Sequence, residues 1–205
     1  MSDGFKTFRL QLRAETHVLH GTLETALTTR GLTGKRDDYV DLLASMLRIY
    51  RPLEAALARL DWSSERLDIS SRRKSDWLAT DLLRLGRDPS VIADWHDIPC
   101  LDSNLQGIGA LYVLEGASLG GQVISKWLLD RLDIDTENGG RFFSSYGSQV
   151  SVMWRSYLDV LERAAVGEQN GKVISSTACQ TFEAFHHCLT SDAVQHPPHE
   201  LRVAS

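Results

Sequence analysis

Gly107-Ile108-Gly109-Ala110-Leu111-Tyr112-Val113-Leu114-Glu115-Gly116-Ala117-Ser118-Leu119-Gly120-Gly121-Gln122 carries five glycines inside a helical pattern. Each glycine in a helix interior costs roughly 1 kcal/mol against alanine, so a run this rich needs a reason. At about 100° per residue, Gly109, Gly116 and Gly120 fall on nearly one stripe, with Ala110, Val113 and Ala117 beside it. Two readings account for a stripe with almost no side chains. A neighbouring helix can pack closely on it, as small residues four apart allow, or a flat ligand can lie against bare backbone. Gly120-Gly121 is then a natural place for a kink. The spacing leaves both open.

Asp102 or Ser103 can cap this helix, which runs to about Leu132. Upstream, Phe5, Phe8, Leu12, Leu19, Leu23 and Leu27 recur at three- and four-residue steps, which predicts a helix from Phe5 to about Thr29, ended by Gly31 and Gly34. A second helix is expected from about Arg36 to Leu60, with Pro52 as a possible kink. A polar, serine-rich stretch over 61–74 leads to a short helix built on Trp77, Leu78, Leu82, Leu83 and Leu85, stopped by Gly86 and Pro89. Downstream, Gly139-Gly140 mark a turn. Val150, Trp154, Tyr157, Leu158 and Leu161 then define a helix ending near Gly167, and a last helix covers about Val173 to Leu189. Residues 191–205 read as a frayed or disordered tail. No useful run alternates with a two-residue period, so the expected fold is all-α.

The chain has 205 residues, 42% hydrophobic and 24% charged, which suits one core rather than two. Its net charge of -5 opposes nonspecific binding to nucleic acid or an anionic membrane. Arg72, Arg73 and Lys74 form the densest basic run, and their serine neighbours mark it as a solvated loop. Three cysteines without CxxC spacing indicate neither a disulfide framework nor a zinc site. With no apolar leader and no stretch of roughly 18 apolar residues, the expected location is the cytoplasm.

His17 and His20 lie three apart on the first helix, and Glu24 stands one turn beyond His20. His20 borders the stripe of Leu12, Leu19 and Leu23, where an imidazole can reach a metal at the edge of an apolar face. Glu24 can hold its other ring nitrogen directly or through water. A histidine on an amphipathic helix is more often a satisfied boundary residue, and spacing alone does not choose. His186 and His187 are adjacent and project about 100° apart, so they do not readily share a metal. Glu115, an acid in a buried-looking helix, either pairs with an arginine or faces solvent.

Taken together, Leu12-Arg13-Ala14-Glu15-Thr16-His17-Val18-Leu19-His20-Gly21-Thr22-Leu23-Glu24 and Tyr112 to Gln122 resemble the haem oxygenase family, in particular its bacterial, biliverdin-producing, phytochrome-associated branch. The first resembles the proximal helix, where a threonine precedes the haem-ligating histidine by four positions, which selects His20. The second, more specific, is similar to the distal helix, whose glycines admit bound oxygen. Trp154 to Glu162 is a weaker match to the helix that places an arginine near a propionate. The likeness spans about residues 8–165.

The resemblance implies a helical bundle over residues 1–190 with a kinked distal helix, and conversion of haem b, substrate and cofactor at once, to biliverdin, carbon monoxide and ferrous iron. It implies His20 as iron ligand and Glu24 as its orienting partner. Gly116, Ala117, Ser118 and Gly120 would form the oxygen-facing backbone, and Arg13, Tyr112 and Arg155 the propionate contacts. It further implies an external electron donor such as a ferredoxin, and a bacteriophytochrome as a receiver of biliverdin. One departure stands out. Well-studied members carry an aspartate after the first distal glycine, and this chain has Ala117, which implies a different water network, anchored by Ser118 or backbone carbonyls. A haem carrier or sensor that keeps His20 without turnover is the alternative within this fold, and an all-α domain without haem lies further off.

Overall fold

The three- and four-residue steps of the first segment produce α1, Asp3–Arg30, whose buried stripe is Leu12, Thr16, Leu23 and Ala26. This is a computed structural model that describes residues 3–191, with side chains from Phe8 onward. The Phe5 side chain, and the predicted tail beyond Ser191 with His196 and His199, lie outside the described residues. α2, Arg36–Ala58, is buried around most of its circumference and contains Pro52. A 3-10 turn at Ser70–Arg72 leads into α3, Ser75–Arg84.

α4, Asn104–Leu132, is the glycine-rich helix, kinked yet helical throughout. Ser103 caps it by accepting from the Gln106 amide, while Gln106 Oε1 accepts from the Ser103 hydroxyl at 3.0 Å and the Asp102 amide at 2.9 Å. This reciprocal closure satisfies donors that a helix start otherwise leaves orphaned. The helix ends at Asp133, in the left-handed region at φ 55°.

Two elements depart from the sequence-based expectation. A one-turn helix, α5, Arg141–Ser144, follows Gly139-Gly140 because Asp81, from α3, accepts the backbone amides of Arg141 at 3.1 Å and Phe142 at 2.7 Å. That cap is supplied 60 residues away and leaves no local signal. After α6, Val150–Ala164, the last helix α7 runs from Glu168 to Thr190, starting before Val173. Gly171 lies inside α7 under the Phe8 ring, where a Cβ would come within 2.9 Å of Phe8 Cε2.

α7 is the central strut. α1, α2 and α4 pack against it, α5 and α6 pack on α4, and α3 packs on α2. Ile174, Ala178, Phe182 and Phe185 of α7 share one apolar core with Leu12, Leu47, Ile108 and Tyr157. The Tyr157 hydroxyl ties α6 to α4 by donating to the Ile108 carbonyl at 2.9 Å. α1 and α4 each lean on α7 rather than on one another. Among the described residues there is no strand, and no helix is long and apolar enough to cross a membrane.

Candidate functional site

His20 stands at the exposed edge of α1, its side chain 55% accessible. Its ring meets Phe182 of α7 edge-on, with centroids 5.8 Å apart. Nδ1 lies 3.5 Å from Glu24 Oε2, so the carboxylate of the next turn faces one ring nitrogen and leaves Nε2 for another partner. Arg13 precedes His20 by seven residues, about 20° from it around the helix. Arg13 and Arg155 are both exposed, and neither guanidinium is engaged by another described residue. Tyr112 is half-buried, with its ring 6.1 Å from that of Trp154.

The glycines of α4 divide between the two readings of their stripe. A Cβ on Gly109 would sit 2.5 Å from the Ile174 carbonyl oxygen, so here the missing side chain lets α7 approach. Gly107 likewise makes room for Leu60 and Trp62, and Gly121 for the Phe143 carbonyl. Gly116 and Gly120 behave differently: an added Cβ would meet nothing within 4 Å. Their backbone borders open space. Ala178 of α7 packs under Gly109, and Phe182, one turn later, touches His20, so α7 contacts both the histidine of α1 and the glycine-rich stretch of α4.

Ala117 is exposed, while Ser118 is buried and accepts a hydrogen bond from the Ser145 hydroxyl at 3.1 Å. Ser118 therefore sits on the rear of α4, opposite the open glycines.

Glu115, one residue before Gly116, is 1% exposed. Its Oε1 accepts from Lys74 Nζ at 2.7 Å and from the Tyr146 hydroxyl at 2.8 Å, and its Oε2 from Arg72 Nη1 at 2.7 Å. Reading residues 72–74 as a solvated loop is therefore wrong for two of the three. Arg73 is exposed, but Arg72 and Lys74 are 5% and 1% exposed. Burial pushes the Lys74 ammonium below the usual lysine range, against the opposing pull of Glu115. Burial and the Glu115 charge push the Tyr146 phenol well up, keeping it a donor. The flanking serines gave no sign of an acid 41 residues downstream. The available signal was Glu115 itself, because a carboxylate on an otherwise apolar helix face demands cations from elsewhere.

Among the described residues no cluster of three or more His, Cys, Asp or Glu could hold a bare ion, and the chemistry of a lone imidazole such as His20 fits an iron whose other ligands arrive with it.

The family model described as "Heme oxygenase" matches residues 6–191. The chain is 23% identical over 192 residues to "Heme oxygenase PigA" of Pseudomonas aeruginosa, covering 87% of this chain and 89% of that one. Among solved structures it is similar to the NO- and CO-bound haem oxygenase of Neisseria meningitidis, with a TM-score of 0.75, 19% identity and 89% of each chain covered. A bundle of this topology, matched by the family model over nearly its whole length, places the chain in the haem oxygenase family, the enzymes that open haem with dioxygen and electrons to biliverdin, carbon monoxide and ferrous iron.

Proposed function

We propose that haem b binds between α1 and α4 within a single domain over 1–190, with His20 Nε2 on the iron and the backbone of Gly116 and Gly120 across the ring. The observation that carries this reading is the split among the glycines: Gly107, Gly109 and Gly121 are filled by neighbours, and Gly116 and Gly120 alone within the quoted segment border open space. Glycine where nothing fills the gap is costly unless a ligand does.

Bound haem supplies the iron that activates dioxygen and the ring carbon that is opened. The protein's part is geometric. Glu24, its Oε2 3.5 Å from His20 Nδ1, favours the tautomer that frees Nε2 and steadies the ring, directly or through water. Phe182 closes one side of the imidazole and keeps water from it. Arg13 and Arg155, whose guanidinium groups no other described residue engages, hold the propionates, and Tyr112 adds one phenolic donor. This clamp decides which ring carbon lies nearest the oxygen.

Protons reach this face through water. Ala117 offers a methyl, Ser118 is engaged with Ser145, and both Glu115 oxygens are committed to Lys74, Arg72 and Tyr146, so no carboxylate of α4 between Gly116 and Gly120 can relay them. The remaining polar groups there are backbone.

We place the enzyme in the cytoplasm, reduced by a ferredoxin-type donor and passing biliverdin to a bacteriophytochrome. Three free cysteines, with Cys188 pushed up to about 11 by burial, are compatible with a reducing compartment. Purified protein is mixed with hemin and then given ferredoxin and its reductase under air. Decay of the Soret band with growth of a biliverdin spectrum is the expected result. A Soret band that persists overturns turnover, and no Soret band at all overturns the site.

A further inference from the structure

The buried cluster behind α4 is expensive. Arg72, Lys74, Glu54 and Glu115 are each no more than 5% exposed. Removing charges from water costs several kcal/mol per ion, and well-packed apolar groups of similar volume often stabilise a fold as well or better. Stability is a poor explanation for such a cluster, and its position offers a better one.

Glu115 is the residue immediately before Gly116 and is bound from three directions. Lys74, at the start of α3, also donates to the Leu114 carbonyl at 3.0 Å, while its own amide donates to Glu54 of α2 at 2.6 Å. Arg72 reaches across to α6, donating to Ser156 Oγ at 2.7 Å and to the Met153 carbonyl at 3.3 Å. Tyr146 comes from the link between α5 and α6 and is braced edge-on by Trp77 at 5.6 Å.

On its open side this part of α4 carries Gly116, Ala117, Leu119 and Gly120, none of them buried, so that face gives it little to lean on. Its height and roll are set from the rear, by Glu115, by Ser118 against Ser145, and by Gly121 against Phe143. We propose that Glu115, clamped by Lys74, Arg72 and Tyr146, is a positioning residue that fixes the Gly116–Gly120 backbone at its working distance from the haem. The inference rests on the haem placement proposed above, and the ion cluster acts through α4 without touching the substrate.

The decisive variant removes every charge of the clamp together: Arg72→Met, Lys74→Met, Glu115→Leu and Tyr146→Phe. Glu54 loses the Lys74 charge but keeps its Ser75 hydroxyl and backbone donors and the Arg73 guanidinium at 4.0 Å, so its carboxylate is not left bare. Four quantities are compared with the wild type: thermal midpoint, amide hydrogen exchange over residues 115–122 in the haem-free protein, the C–O stretch of the ferrous CO complex, and turnover with its product isomers.

The expected result is a midpoint equal to or above the wild type with haem binding retained. Exchange should rise about ten-fold or more, the C–O band should broaden or split, and turnover should fall about ten-fold or more, since misplacement by an ångström can cost about a hundred-fold. Wild-type exchange, stretch and turnover in this variant would overturn the proposal, as would a turnover loss that merely tracks a fallen midpoint. Should the quadruple variant fail to fold, Tyr146→Phe alone decides. It leaves both ion pairs and should raise exchange by about two- to five-fold and broaden the C–O band, and unchanged values overturn the idea. His20→Ala separates the two levels. A normal CO complex in that variant sinks the haem placement, while faster α4 exchange in the clamp variant still supports the anchoring.

Discussion

His20 and His17 share a helix and an exposed setting, yet only His20 has its ring against Phe182 and its Nδ1 facing a carboxylate. His20→Ala should abolish the iron-linked Soret spectrum and turnover, whereas His17→Ala should leave both nearly intact, as absorbance titration with hemin will show. The opposite pattern would refute the ligand assignment. Glu24→Gln keeps the size of the side chain but weakens its hold on Nδ1–H, and losing such an outer partner typically costs about 10- to 100-fold in metal affinity or activity. The fall should appear in activity with the fold unchanged, because both groups are solvent-exposed and exposed pairs add little stability. His20 could be singled out in the sequence through the family resemblance, and Glu24 because it stands one helical turn from His20. Arg72 and Lys74 could not, because their partner comes from another helix.

On the scale of a helix, the glycines of α4 sort into two experimental classes. Gly116→Ala and Gly120→Ala add a methyl to open space and relieve the helix of a flexible residue, so each should raise stability by about 1 kcal/mol, or about 2–4 °C in midpoint. The same methyl projects where the haem is proposed to lie, so turnover should drop in the variant that is more stable. Gly109→Ala and Gly121→Ala should instead destabilise by about 1–3 kcal/mol, because the new carbon collides with backbone carbonyls of Ile174 and Phe143 that cannot rotate away. Calorimetry beside steady-state turnover checks both. Equal destabilisation at all four positions would mean that the open space beside Gly116 and Gly120 is not there. Ser103→Ala should cost about 1 kcal/mol by unmaking the cap, without affecting the haem site.

For the molecule as a whole, Asp81 couples assembly to pH. It is fully buried, joins α3 to α5, and burial raises its carboxyl to about 6 from 3.8. The folded chain therefore holds a proton that the unfolded chain has released between about pH 4 and 6. Stability from this group is fully present below about pH 4 and is lost as pH rises through 6. The loss is on the order of 3 kcal/mol. Denaturant unfolding of the wild type and Asp81→Asn from pH 4 to 7.5 should show a shallower pH dependence in the variant, and parallel curves would count against this assignment. Asp81 also shows where local reading ends, because α5 exists through a cap contributed by α3. By itself, the sequence determined the long helices, a cap at Asp102 or Ser103, the candidate ligand His20 and the family likeness, since each is carried by short segments readable within a few helical turns. Only the tertiary structure decided which glycines face a neighbour and which face open space, and that Arg72 and Lys74 are buried against Glu115. Those outcomes depend on contacts between residues tens of positions apart, and neither helical period nor composition encodes which distant surface will arrive.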